Sequence, residues 1–206
     1  MSFLAFFSDD EYSEITGLFK RRNKSIIITD WDKWNSYFRF GGASGGYNDG
    51  WLLLQIIGNA IMANETMTFE FANNTITNKG LDLIKGTWNS NETNENGRVL
   101  ANYFSQYPFS TSNLESMYGG GITLQNNANS TYSIISKRIS NEGLKWVSIH
   151  ELGHAYGLSL GIFGDANNSY AIQVENLARS VMGLPLTDGS SHYGIISNPY
   201  QKPRPK

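Results

Sequence analysis

The stretch that decides the fold is Trp146–Leu160, WVSIHELGHAYGLSL, which places His150, Glu151 and His154 together in a chain with only three histidines among 206 residues. Shuffling this composition would yield an H-E-x-x-H string in roughly one chain in several hundred, so coincidence is a poor explanation. The surrounding pattern predicts a helix. Asn141 is a capping residue type, no proline interrupts Leu144 to Leu158, and Gly157 offers a place for the helix to stop or loosen. Leu144, Trp146, Val147, Ile149, Leu152, Ala155, Tyr156 and Leu158 leave no wholly polar face, which is the pattern of a buried helix.

On a helix, residues four apart stand one above the other, so the imidazoles of His150 and His154 converge on one point. Such a point suits Zn2+, which takes His nitrogens at about 2.0–2.1 Å and, in catalytic sites, three protein ligands plus water. Glu151 lies about 100° around the helix from His150. It therefore flanks the metal, where a general base is needed. The alternative is a pair of core histidines bonded to backbone carbonyls beside an ordinary carboxylate. Burying all three polar groups in an apolar helix without a partner that uses them is costly, and this favours the metal.

A third ligand is required. The spacing H-E-x-x-H-x-x-G-x-x-H would continue through Gly157 to a histidine at 160, but that position is Leu160, which cannot bind zinc. The remaining option is a carboxylate on a following helix. Ala171, Val174, Leu177, Ala178 and Val181 recur at helical spacing in YAIQVENLARSVMGLPL, and Gly183 and Pro185 end that helix. Glu175 lies next to this apolar stripe and is the only glutamate after the H-E-x-x-H run. An i,i+4 ion pair with Arg179 on an exposed face is its other reading. Asp165, in what reads as a loop, and His192 are rival ligands.

HELGHAYG, followed about twenty residues later by AIQVENLARSVMGLPL and then by Tyr193-Gly194, resembles the metallopeptidase toxin and effector domains related to type III effector zinc proteases. Such domains also occur at the C-termini of large polymorphic bacterial toxins. The resemblance covers His150 to Gly194, and its more specific half is the VEN and R…GLP combination. It implies a gluzincin-like fold with His150, His154 and Glu175 as zinc ligands and Glu151 as the base. It also implies a toxin or effector acting on a protein of a target cell, with a cognate immunity or inhibitor protein as a further partner. After GLPL, relatives tend to carry an arginine or a short linker, whereas this chain has Thr187–Ser191 before His192 and Tyr193.

Peptide hydrolysis also asks for a donor to the oxyanion, such as Tyr, His or Arg. SSHYG offers Tyr193 first and His192 second, with a plain surface loop as the alternative.

Composition bounds this reading. With 40% apolar and 17% charged residues, the chain is globular, and its length suits one domain spanning 1–206. The absence of cysteine excludes disulfides, thiolate zinc sites and thiol catalysis. A net charge of −2 gives no basic surface for nucleic acid. No segment reaches the ~18 apolar residues of a membrane span. MSFLAFF runs directly into SDDEYSE without a basic n-region, so export would use a route without a cleaved signal or occur as a piece of a larger polypeptide.

Elsewhere, Ser8 and Glu11 read as a capping box for a helix that carries Ile15, Leu18 and Phe19, with Arg21 and Arg22 near its C-terminal end. SIIIT at 25–29 reads as a strand and Trp51–Met62 as a helix. MTFEF reads as a strand turned back at Asn73-Asn74 through TIT, and Lys85–Gly97 as a mobile polar loop. GITLQ and TYSIISKR read as two strands joined by NNANS, with Tyr132–Lys137 as an edge that receives an extended substrate. Proline-broken 198–206 reads as a disordered tail.

The expectation is an α+β, zincin-like domain: a small twisted sheet packed on the His150 helix, with the Glu175 helix completing a zinc endopeptidase site. Two alternatives from other classes are a binding module with a structural zinc closed by four protein ligands, and a metallohydrolase acting on a non-peptide bond.

Overall fold

A computed structural model describes residues 19–22, 25–28, 32, 49–90, 109–189 and 203. The chain is mixed α and β. In order, it contains β1 (Phe19–Arg22), β2 (Ser25–Ile28), α1 (Asp49–Met62), β3 (Thr66–Ala72), α2 (Asn78–Ser90), α3 (Thr111–Tyr118), β4 (Gly121–Asn127), β5 (Ser130–Ser136), α4 (Asn141–Ser159) and α5 (Gly164–Val181). These elements fall into two compact units, Glu65–Gly161 and a second made of Met1–Asn64 with Ile162–Lys206.

The Glu65–Gly161 unit is built on a three-stranded sheet of order β3-β5-β4. β5 runs antiparallel to β4, its hairpin partner, and parallel to β3, from Thr66 opposite Ser130 to Ala72 opposite Ser136. A parallel pair needs a crossover, and α2 and α3 lie in the chain between β3 and the hairpin. Side chains alternate across the sheet. Leu124, Tyr132 and Ile134 face one way and form a core with Ile84 of α2 and Leu114 of α3, joined by Ile76 and Phe109. The opposite face carries Thr123 and Ser133 and receives α4. The sheet is thus covered by helices on both sides.

α4 matches the predicted helix, with two differences at its ends. Its cap is Ser140, whose Oγ accepts from the Gly143 amide at 3.0 Å, so Asn141 is the first helical residue instead. Gly157 does not stop it, and the helix runs on to Ser159.

In the other unit, β1 and β2 pair antiparallel from Phe19 opposite Ile28 to Arg22 opposite Ser25. This replaces the helix end expected at Phe19–Arg22: the pairing with SIII supplies backbone partners that a short polar helix end lacks. α1 packs against α5, and Leu53, Leu54, Ile56 and Ile57 of α1 are buried. Residues 171–178 of α5 are all buried. α5 closes in a Schellman-type turn with Gly183 at φ 66°: the Leu184 amide donates to Arg179 O at 2.9 Å and the Gly183 amide to Ser180 O at 3.0 Å.

Three further expectations are corrected. Asn73-Asn74 does not turn β3 back through TIT, because Thr77 leads into α2 and β3 takes β5 as a parallel partner. Lys85–Ser90 is helical, held by Ile84, which is 1% exposed. β5 is the central strand with both edges occupied, so Tyr132–Lys137 cannot receive an added strand. The Ser8 capping box, the residues after Ser90 in the polar stretch, and the 198–206 tail apart from Pro203 lie outside the described residues. No helix among the described residues is long and apolar enough to cross a membrane.

Candidate metal centre

The two histidines meet as the helical spacing requires. Within α4, the Nε2 atoms of His150 and His154 are 3.1 Å apart, with ring centroids at 4.8 Å and planes at 74°. Two imidazole lone pairs cannot face each other at that distance without something positive between them. In the bare protein it is one shared Nε2 proton, with one ring donating to the other. A divalent cation is the other occupant of such a position. Two nitrogens at about 2.0–2.1 Å from a tetrahedral centre stand ~3.3 Å apart, close to the observed separation. The pair therefore fits one edge of a zinc tetrahedron. His150 is buried and His154 half-buried.

Glu151, the residue after His150, reaches the sheet. It is 4% exposed, and its Oε2 accepts from Thr123 Oγ1 at 2.6 Å. Thr123 Oγ1 in turn lies 2.7 Å from Ser133 Oγ, its cross-strand neighbour. The carboxylate also rests on the backbone of β4 at Gly121: an ideal Cβ there would stand 2.6 Å from Glu151 Oε1 and 2.5 Å from Val147 Cγ1. The sequence pattern singled out the histidines and the glutamate but not Gly121, Thr123 and Ser133. The available signal was the face G-x-T-x-Q of β4, small and polar where its other face, Ile122 and Leu124, is apolar.

Glu175 belongs to the other unit, where it is 9% exposed. Its Oε1 accepts from Arg179 Nε at 2.8 Å and Nη2 at 2.7 Å. The i,i+4 pair considered from sequence thus exists, but on a buried carboxylate rather than an exposed face. A carboxylate held through one oxygen by an arginine is oriented in the way that metal-ligating carboxylates usually are. Asp165, the rival, is exposed in the first turn of α5, not in a loop. His192 and Tyr193 lie outside the described residues. Among the described residues, no set of three His, Asp or Glu side chains gathers as a metal-binding group.

Comparison with protein-family models, with curated proteins and with solved structures finds no match to this chain.

Proposed function

We propose that this chain is a zinc-dependent endopeptidase, with His150 and His154 as metal ligands and Glu151 as general base; Glu175 is the third ligand that the sequence suggests. The observation that carries the reading is the 3.1 Å approach of the two Nε2 atoms, with a buried carboxylate on the next residue. When bound, zinc would polarise a carbonyl and bring the pKa of water toward about 7.

The chain's own residues supply the rest. The Glu151 carboxylate accepts a proton from the attacking water as the oxygen bonds to the peptide carbon. It returns that proton to the amine nitrogen as the C–N bond breaks. β4 is the strand beside Glu151, and it has no pairing partner on its far edge among the described residues. An extended peptide adding there by main-chain hydrogen bonds would be held beside the base, the role that the sequence had suggested for β5. Tyr193 is the proposed oxyanion donor. The setting as a bacterial toxin or effector, with a target-cell protein as substrate and an immunity protein as partner, rests on the resemblance of HELGHAYG and VENLARSVMGLPL.

The test is metal analysis together with hydrolysis of a peptide library by the wild type, Glu151→Gln and His150→Ala. The reading expects chelator-sensitive cleavage by the wild type, zinc without cleavage in Glu151→Gln, and weakened zinc binding in His150→Ala. Zinc retained in all three with no cleavage of any peptide would overturn it. Chelator-sensitive cleavage confined to ester or small amide probes would move the chain to a different hydrolase class.

A further inference from the structure

We infer that Thr123 is a positioning residue for the Glu151 carboxylate, with Ser133 behind it fixing the direction of its proton. This rests on Glu151 as the base. Thr123 has one hydroxyl proton, and three oxygens lie within reach of its Oγ1: Glu151 Oε2 at 2.6 Å, Ser133 Oγ at 2.7 Å and the Glu151 carbonyl at 3.3 Å. An ionised carboxylate only accepts. With Glu151 ionised, as a base must be before it accepts a proton, the short bond to Oε2 takes the Thr123 proton, and the Ser133 proton points to Thr123. The result is a one-way chain, Ser133 to Thr123 to Glu151, whose members strengthen one another in a dry setting. Ser133 is fully buried and Glu151 is 4% exposed.

The second constraint is steric. Gly121, two residues before Thr123 on the same face of β4, leaves just enough space for Glu151 Oε1 and Cγ, which an added Cβ would approach to 2.6 and 2.9 Å. One oxygen is thus fixed by a hydrogen bond and the other by contact with backbone. A base displaced by about 1 Å can lose on the order of 100-fold in rate.

A plain strand-to-helix tie would predict something else: loss of stability without loss of turnover per folded molecule. The experiment compares Thr123→Val, Thr123→Ser and Ser133→Ala in the full chain by two readouts. The first is kcat and KM on a fluorogenic peptide from the library above. Thr123→Val is expected to lower kcat about 10- to 100-fold, with KM and zinc content near wild type, and Thr123→Ser to recover most of that loss. The second needs no activity: the side-chain carboxyl carbon resonance of Glu151 in chelator-treated, 13C-glutamate-labelled protein, assigned by its absence in Glu151→Gln. It is expected to move in Thr123→Val, less in Ser133→Ala, and to stay near wild type in Thr123→Ser.

An unmoved resonance in Thr123→Val, or wild-type kcat in that variant while Glu151→Gln is inactive, overturns the inference and leaves the peptidase reading intact. If Glu151→Gln cleaves like wild type, the reading of Glu151 as base fails instead. Should Thr123→Val not fold, Ser133→Ala and Thr123→Ser carry the same two readouts, and an unmoved resonance in Ser133→Ala then counts against the relay.

Discussion

Gly121 on β4 and Glu151 on α4 approach so closely that a methyl group on the glycine would stand 2.6 Å from the carboxylate oxygen and 2.5 Å from Val147 Cγ1. Both neighbours are held in place: Glu151 is tied to Thr123, and Val147 is on the same helix one turn earlier. Gly121→Ala is therefore expected to destabilise by about 1–3 kcal/mol, the usual cost of overpacking. Gly86, exposed in α2 with nothing within 4 Å of its would-be Cβ, is the counterpart. Gly86→Ala is expected to stabilise by about 0.5–1 kcal/mol through helix propensity alone. Urea midpoints of the two variants check both signs, and a Gly121→Ala protein as stable as wild type would contradict the packing described.

If the His150 and His154 pair holds zinc, stability depends on the metal. An ion that binds only the folded chain stabilises it by RT ln(1 + [L]/Kd), about 2.7 kcal/mol at a hundredfold excess over Kd. Zinc is expected to raise the unfolding midpoint of the wild type and of Glu151→Gln, and chelator to reverse it. His150→Ala and His154→Ala are expected to lose most of the increment. Thermal scans with and without zinc measure this, and an equal rise in the His154→Ala protein would point to binding elsewhere.

Local signals made part of this legible in the sequence. α4 declared itself because its apolar residues, its absence of proline and its two histidines agree, and the β4–β5 hairpin because its alternation is short-range. What escaped depends on distant pairing. That β5 is central follows from β3 lying parallel beside it, Thr66 against Ser130, a contact that no local pattern encodes. α2 was obscured by Asn78, Gly80, Gly86 and Thr87, residues that favour turns, and it is held by the burial of Ile84 against the sheet. Thr123 gains its meaning only when α4 lies across the hairpin and brings Glu151 to its hydroxyl.

Tyr132 offers a test of the other face of the sheet. Its hydroxyl donates to Glu70 Oε2 at 2.9 Å, and Glu70 also accepts from the amide and hydroxyl of Thr77 at the start of α2. Burial, more than the neighbouring Glu70, raises the phenol above its ordinary value of 10.0. The folded state thus holds the proton more tightly than the unfolded chain. The corresponding stability is fully present below pH ~10 and is lost as pH rises through the folded value. Tyr132→Phe is expected to cost about 1 kcal/mol near neutrality and to lose less than wild type between pH 9 and 11. Denaturant titrations at both ends of that range decide it; parallel losses in the two proteins would refute the shift.

Arg179 provides the last prediction. Its Nε and Nη2 both donate to Glu175 Oε1, and its Nη1 reaches the carbonyl of Pro185 at 3.4 Å. One residue on from Glu175, Asn176 exchanges two hydrogen bonds with the backbone of Thr187, at 2.9 and 2.8 Å. The segment after α5 is thus fastened to the helix at two adjacent points, and Glu175 is fixed by the same arginine. Arg179→Met removes charge-assisted bonds from a nearly buried carboxylate, which is expected to cost about 1.5–3 kcal/mol. In a double-mutant cycle with Glu175→Gln the losses should fall short of additive, because the second change removes a partner already lost. If Glu175 is a zinc ligand, Arg179→Met also lowers zinc affinity by about 10- to 100-fold, as loss of a partner behind a ligand does. Asn176→Ala, which leaves Glu175 and Arg179 in place, should expose the segment around Thr187 to protease with little effect on zinc. Equal zinc affinities in wild type and Arg179→Met, alongside the expected loss of stability, would leave the ion pair structural and remove Glu175 from the ligand set.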